Sequence, residues 1–137
     1  MTADVVPFPK PAKRVRLSPA KWRALRDLVV AQEGNRCAVC RGWFERMDGH
    51  HVYPRDLGGD DNFFNVAPLC GSGTTGCHGL VTEGDAWATS MLRQWVEGRR
   101  GTLTYLCWRL KTVEAATAFL DRYYPDRRET GGDDHAA

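Results

Sequence analysis

The chain has four histidines, and two of them, His50 and His51, stand side by side in the stretch GHHVYP (49–54). Imidazole is the one side chain whose unperturbed pKa lies near neutrality, and it serves equally as proton acceptor and metal ligand. On a strand, consecutive side chains point to opposite faces, so two adjacent histidines do not naturally grip one ion together. Either one is a bystander or the two do different jobs on one target. The second reading assigns one imidazole to a cation and the other to a proton.

Cysteines frame this pair. Cys37-Ala38-Val39-Cys40 is a CxxC unit, and Cys70 and Cys77 form a second, wider pair separated by the six residues GSGTTG. Four thiolates suit a closed tetrahedral zinc site, and glycines with small polar residues let the wider loop curl back toward the first pair. Such an ion would staple the segment before the histidines to the one after them. The alternatives are two disulfides or unrelated buried thiols, and His78, directly after Cys77, could replace one thiolate. Cys107, between Leu106 and Trp108, reads as a small buried core residue.

Taken in order, the CxxC at 37–40 followed by GHHVYPRDLGGDDNFFNVAPLCGSGTTGCHG (49–79) closely resembles the HNH endonuclease family, whose core is the ββα-metal fold. Small tailed-phage HNH nucleases with a four-cysteine zinc site resemble it most. The resemblance implies a metal-dependent DNA endonuclease in which His50 binds a divalent ion and His51 is the general base. It further implies that Asn65 orients that base and that His78 is the second ligand of the ion. Cys37, Cys40, Cys70 and Cys77 would hold structural Zn²⁺. Many relatives carry a further histidine four residues after the Cys-His pair; here that position is Thr82. Two imidazoles plus water and phosphate suit a hard, hydrated ion such as Mg²⁺ or Mn²⁺, with Ni²⁺ and Zn²⁺ as the other candidates. The implied partners are DNA and, in phage genome packaging, the terminase and portal proteins; homing is the other implied setting. One active site per chain makes nicking by a monomer or weak dimer the expectation. The competing reading is a non-catalytic, zinc-stapled module that binds nucleic acid or acts as an adaptor.

The elements that must position these residues follow from local pattern. Ser18-Pro19 is an N-cap followed by proline at the first helical position, and Trp22, Leu25, Leu28 and Val29 recur at helical spacing, which predicts a helix to about Glu33. Asp48–Tyr53 and Phe63–Leu69 are predicted strands joined by a long turn-rich loop, Pro54–Asn62. Trp87, Met91 and Trp95 predict a helix that ends near Gly98, and Thr112 caps a last helix through Tyr124. The tryptophans are expected to pack around a small core. The fold class is therefore α+β: a small ββα-metal core over 35–83, stapled by four cysteines, with flanking helices in 18–34 and 84–128.

The 137 residues suffice for one domain with a modest core. No apolar run approaches the ~20 residues that span a membrane. Residues 1–36 hold eight Lys/Arg against three Asp/Glu, and Pro7, Pro9 and Pro11 mark 1–17 as a flexible basic arm. Lys10, Lys13, Arg14 and Arg16 on that arm, and Arg55 just beyond the histidines, are candidate phosphate contacts. Residues 129–137 are expected to be disordered. The N-terminus lacks the apolar region of a secretory signal, which points to a reducing cytoplasm, the host's if the chain is phage-encoded.

Overall fold

The structure, a computed structural model, describes residues 14–126. In chain order these form α1 (Pro19–Gln32), β1 (Asp48–His51), two 3-10 turns (Arg55–Leu57 and Phe63–Asn65) and β2 (Val66–Leu69). The helices α2 (Gly76–Glu83), α3 (Ala86–Glu97), α4 (Arg100–Leu110) and α5 (Val113–Tyr123) follow. The architecture is mixed α+β: five helices and a two-stranded antiparallel sheet among the described residues. None of these helices is long and apolar enough to cross a membrane.

The first helix begins where its cap dictates, with the Ser18 hydroxyl accepting from the Lys21 amide and Pro19 at the first turn. Both strands are shorter than the sequence predicts. Phe63–Asn65 is a 3-10 turn because the Asn62 side chain accepts from the Phe64 amide and starts a turn where the apolar run suggested a strand. The ladder pairs Asp48 with Leu69, Gly49 with Pro68, His50 with Ala67 and His51 with Val66. Every residue of β2 is buried, because α1 and α2 both pack against this strand.

The GSGTTG loop closes as the sequence requires. A Cβ on Gly71 would lie 2.2 Å from the Thr75 carbonyl oxygen, and one on Gly76 would lie 2.7 Å from the Gly71 Cα. The chain crosses itself so closely there that only glycine fits, and both residues adopt positive φ.

Two findings depart from the sequence expectation around the helices. The helical stretch after Cys77 is divided into two helices, α2 and α3, by Gly84 in the left-handed region and by Asp85, which caps α3 through the Ala88 amide. Helix α4 was not predicted. Its sequence RGTLTYLCWRL is rich in poor helix formers and lacks an N-cap side chain. Tertiary contacts hold it instead: the Thr102 hydroxyl donates to the Phe64 carbonyl at 2.7 Å, and Tyr105 and Arg109 both bond the buried Asp60 carboxylate. The Cys107 side chain on α4 is only partly buried, packed against the core rather than inside it.

Candidate functional site

The four cysteines meet. Sγ atoms of Cys37, Cys40, Cys70 and Cys77 all lie within 4.8 Å of one another. A tetrahedron with 2.3 Å zinc–sulfur bonds has edges of ~3.8 Å, so a small contraction around an ion completes the set. The Val39 amide donates to Cys37 Sγ and the Gly42 amide to Cys40 Sγ, each at 3.4 Å, an arrangement that stabilises thiolate. Burial pushes the Cys70 and Cys77 thiols up, and the neighbouring sulfurs add to it. A divalent cation reverses that balance by giving four crowded sulfurs a common counter-charge. His78 is not part of this cluster. Two hydrogen bonds join the knuckle to the rest: Ala38 donates to the Pro68 carbonyl of β2, and His78 donates through its amide to the Cys70 carbonyl.

Beside the knuckle, the sheet sorts the histidines. Asp48 and His50 share one face of β1, and His51 lies on the other. Helix α2 brings His78 to the first face, where its ring meets the His50 ring edge-on at 5.5 Å between centroids. Each of these two imidazoles has one nitrogen committed. His78 Nδ1 donates to the Asp48 carboxylate at 2.8 Å, which leaves Nε2 as its lone-pair nitrogen. The Tyr124 hydroxyl donates its single proton to the Val52 carbonyl at 2.7 Å, so at 3.0 Å it must accept from His50 Nε2. The lone pair of His50 is therefore on Nδ1. Burial, with His78 and His51 nearby, pushes the His50 pKa down to about 3 and keeps the ring neutral. Two imidazoles with oriented outer nitrogens are the donor set expected of a two-histidine cation site.

On the opposite face, His51 Nε2 lies 2.8 Å from Asp61 Oδ1. Hydrogen bonds from Arg55, His51 and the Leu17 amide hold the Asp61 carboxyl at about 2 despite its burial, so it is ionised and only accepts. The proton of the neutral ring is thus on Nε2 and the lone pair on Nδ1, for which the described residues supply no partner. Burial lowers the His51 pKa from its ordinary value; Arg55 adds to this, and the bond to Asp61 works against it. Trp22 of α1 stacks flat on the ring, centroids 4.7 Å apart and planes 14° from parallel. Gly49 makes room for that indole, since a Cβ there would lie 3.1 Å from the Trp22 ring.

The Asn65 side chain bonds the backbone of the loop and touches no histidine by hydrogen bond. It is wholly buried, accepts from the Tyr53 amide at 2.8 Å, and donates to the carbonyls of Tyr53 (3.1 Å) and Asp60 (2.9 Å). It clamps both ends of the loop after β1 and so fixes where Asp61 stands. Arg55 grips the other side of Asp61, at 2.9 and 2.6 Å, with its guanidinium over Trp22.

The basic arm divides. Lys10 and Lys13 lie outside the described residues, as do residues 129–137. Residues 15–17, expected to belong to a free arm, run along the loop instead: the Val15 amide donates to Asp60 at 2.6 Å and the Leu17 amide to Asp61 at 2.8 Å. Arg16 donates to the carbonyls of Gly59 and Arg55, and Arg14 passes over Gly58. These arginines brace the loop that carries Asp61.

Sequence reasoning missed Asp48, Asp61, Tyr124 and Trp22. Asp60 and Asp61 were legible only as turn formers, and Tyr124 only as a helix end 74 residues from the histidine it orients. Thr82, at the position where relatives of the resembled family carry a histidine, donates back to the His78 carbonyl at 2.9 Å and is exposed. No protein-family model, curated protein or solved structure matches the chain.

Proposed function

We propose that the chain is a metal-dependent endonuclease of the HNH type that hydrolyses DNA phosphodiesters, with His51 as general base and His50 and His78 as ligands of one divalent ion. The observation that carries this reading is the division of the three imidazoles. Two have outer nitrogens held by Asp48 and Tyr124, and the third is held by an ionised carboxylate with its Nδ1 left without a partner. A structural histidine needs no such sorting.

Each residue then has a task. His51 Nδ1 removes a proton from water as the water oxygen attacks phosphorus in line, and the bond to the 3′ oxygen breaks. The Asp61 carboxylate holds Nε2–H and stabilises the imidazolium that forms, while Trp22 keeps the ring plane fixed. Asn65 holds the loop that supplies Asp61. The departing 3′ oxygen takes its proton from solvent water and His51 returns its own to solvent, so the products are a 5′-phosphate and a 3′-hydroxyl. An ion at His50 and His78 (Mg²⁺, Mn²⁺, Ni²⁺ or Zn²⁺) supplies neutralising charge to the phosphoryl and departing oxygens. A separate zinc ion on the four cysteines is structural. Arg55, half-exposed beside the base, is within reach of a neighbouring phosphate. The resemblance to small phage nucleases makes genome packaging, beside the terminase, the setting for this activity, and one site per chain makes a nick its unit product.

The test is incubation of the purified zinc-loaded protein with supercoiled plasmid and each of the four ions in turn, with His51→Ala alongside. Open-circle product from the wild type and none from the variant is expected. Equal conversion by both, or none by either, removes the enzymatic reading and leaves a zinc-stapled nucleic-acid-binding or adaptor module.

A further inference from the structure

Outside the histidine site, the cysteine knuckle presents an aromatic ring that the fold does not use. Residues 42–45 run extended against 35–37: the Cys37 amide donates to the Gly42 carbonyl at 2.9 Å, and the Phe44 amide to the Asn35 carbonyl at 3.0 Å. The Asn35 side chain donates to the Phe44 and Glu45 carbonyls as well. Side chains alternate along such a segment, so Phe44 packs against the core and Trp43 faces out, 58% exposed.

The other tryptophans are placed differently. Trp22 is covered by His51 and Arg55, Trp95 by Arg99, and Trp108 by Tyr105 and Arg109. Trp87 packs against the core. Among the described residues no ring or guanidinium covers the indole of Trp43. Two arginines are close to it in the chain: Arg36 is its cross-bridge partner, and Arg36 Nη1 donates to the backbone carbonyl of Arg41 at 3.5 Å. Both arginines are exposed, and neither pairs with a carboxylate among the described residues. An uncovered indole on a rigid turn whose neighbouring residues include two exposed arginines fits a base that has left its stack, with the arginines free to meet its phosphates.

The position on the molecule agrees. A cleft of about 530 Å³ runs between α1 and the segment after the knuckle, walled by Arg26, Asp27, Glu45, Arg46 and Asp48. One of its walls, Asp48, is the residue bonded to His78, and another, Glu45, is two residues from Trp43. Five residues of extended chain reach no more than ~17 Å, so the Trp43 backbone is within about five stacked nucleotides of that of Asp48, the partner of His78.

Resting on the nuclease reading above, we propose that Trp43, Arg36 and Arg41 form a stacking platform for unpaired bases of the strand that leaves the histidine site. The preferred substrate is then DNA with a single-stranded segment beside the scissile phosphate, such as a fork or flap, over uninterrupted duplex. A duplex offers its phosphates to the arginines but no base face to the indole. A free strand offers both.

The experiment measures affinity in the His51→Ala background, which removes cleavage, with labelled single-stranded, forked and fully paired oligonucleotides. Trp43→Ala is expected to weaken binding of the single-stranded and forked probes about tenfold, and of the duplex less than twofold. Trp43→Phe, which keeps a stacking face, should retain affinity within about threefold. Arg36→Gln with Arg41→Asn, the latter tolerant of the left-handed backbone at that position, should weaken all three probes and flatten their salt dependence. Zinc content and circular dichroism of each variant establish that the knuckle is intact. The platform is overturned if Trp43→Ala, folded and zinc-loaded, binds the single-stranded probe within twofold of its parent. It is overturned equally by parallel losses on duplex and single strand. Failure of the parent to bind any probe rejects the nucleic-acid reading of the histidine site along with it, and the two failures are thereby distinguishable.

Discussion

His50 and His51 are neighbours on a strand of four residues, and the two faces of that strand give them opposite surroundings. The His50 side is closed by a tyrosine hydroxyl that is neutral and wholly committed, and the carboxylate on that face, Asp48, is bonded to His78 rather than to His50. The His51 side is closed by a carboxylate, itself held by Arg55 and a backbone amide, so a charged imidazole has a counter-ion waiting. One environment suits a ring that stays neutral and donates a lone pair; the other suits a ring that takes up a proton and must be stabilised while it holds it. Identical side chains in adjacent positions acquire different chemistry from what the fold delivers to each face. The deliveries come from far apart in sequence: α1 and the loop supply Trp22 and Asp61, whereas the residue that ends α5 supplies the Tyr124 hydroxyl.

Removing each ring breaks that comparison most severely. His51→Ala should lower the cleavage rate by roughly 10²–10⁴-fold, and no concentration of divalent ion should restore it. His50→Ala should also lose cleavage, but with a metal dependence displaced to higher concentration. A titration of rate against Mn²⁺ for both variants separates the roles. If His51→Ala is rescued by excess metal and His50→Ala is not, the assignments are reversed.

The next effect isolates the carboxylate. Asp61→Asn keeps the size of the side chain but replaces an ionised acceptor with an amide, which can turn its NH₂ toward Nε2 and favour the wrong tautomer. Cleavage should fall by roughly 10²-fold with little change in DNA affinity. Arg55→Gln, which loosens the same carboxylate from its other side, should cost less at the chemical step and more in binding. Equal rates for Asp61→Asn and wild type would mean that His51 is oriented by stacking on Trp22 alone.

A smaller loss is expected on the other face. Tyr124→Phe removes the acceptor of His50 Nε2–H and the donor to the Val52 carbonyl together. The outer partner of a ligating histidine is worth roughly tenfold or more in metal affinity, so the rate at saturating ion should change little while the half-saturating concentration rises. The same substitution leaves two buried polar groups unpaired, a destabilisation of about 1–3 kcal/mol. Arg93 makes this site sensitive at a distance, because it bonds the Tyr124 carbonyl at 3.1 Å and the Asp121 carboxylate at 3.1 Å and so fixes the end of α5.

What could be read from the residues alone follows the same division. The cysteine cluster was legible because its spacing is a local property of two short turns, and α1 and α5 because Ser18 and Thr112 cap them through their own neighbours. The histidine, asparagine and cysteine order could be recognised because those residues sit on one continuous hairpin and helix. The partners that hold the histidine rings were not legible. Asp61 lies among turn formers, where an aspartate is ordinary, and its meaning depends on Arg55 and on a backbone amide at Leu17. Helix α4 was hidden for a related reason, since the bonds that hold it run to Phe64 and Asp60, both beyond any local pattern. Trp22 and Trp43 were both expected in the core. The first went to the His51 face because Gly49 leaves space for it, and the second went outward because the alternation at 42–45 turns Phe44 in.

Acid gives the finest distinction between the faces. Asp61 has a side chain with no exposed surface and a folded-state pKa of about 2 against an ordinary 3.8. A carboxyl depressed by folding contributes stability that is fully present above its unfolded pKa and is lost as pH falls toward the folded one. That places the loss between about pH 4 and pH 2, and a shift of nearly two units corresponds to on the order of 2 kcal/mol. Asp60, depressed in the same direction by Tyr105, Arg109 and the Val15 amide, adds to the loss in the same acid range. Release of metal from the cysteines also destabilises the fold in acid, but it acts on wild type and variant alike. The informative quantity is the difference in unfolding free energy between wild type and Asp61→Asn. It should be about 2 kcal/mol from pH 7 down to pH 5 and should shrink below pH 4 as the wild-type carboxylate is protonated. A difference that stays constant to pH 3 would show that the contribution of Asp61 does not depend on its charge. The contrast between a charged partner for His51 and a neutral one for His50 would then no longer support the proposal that His51 is the one that moves a proton.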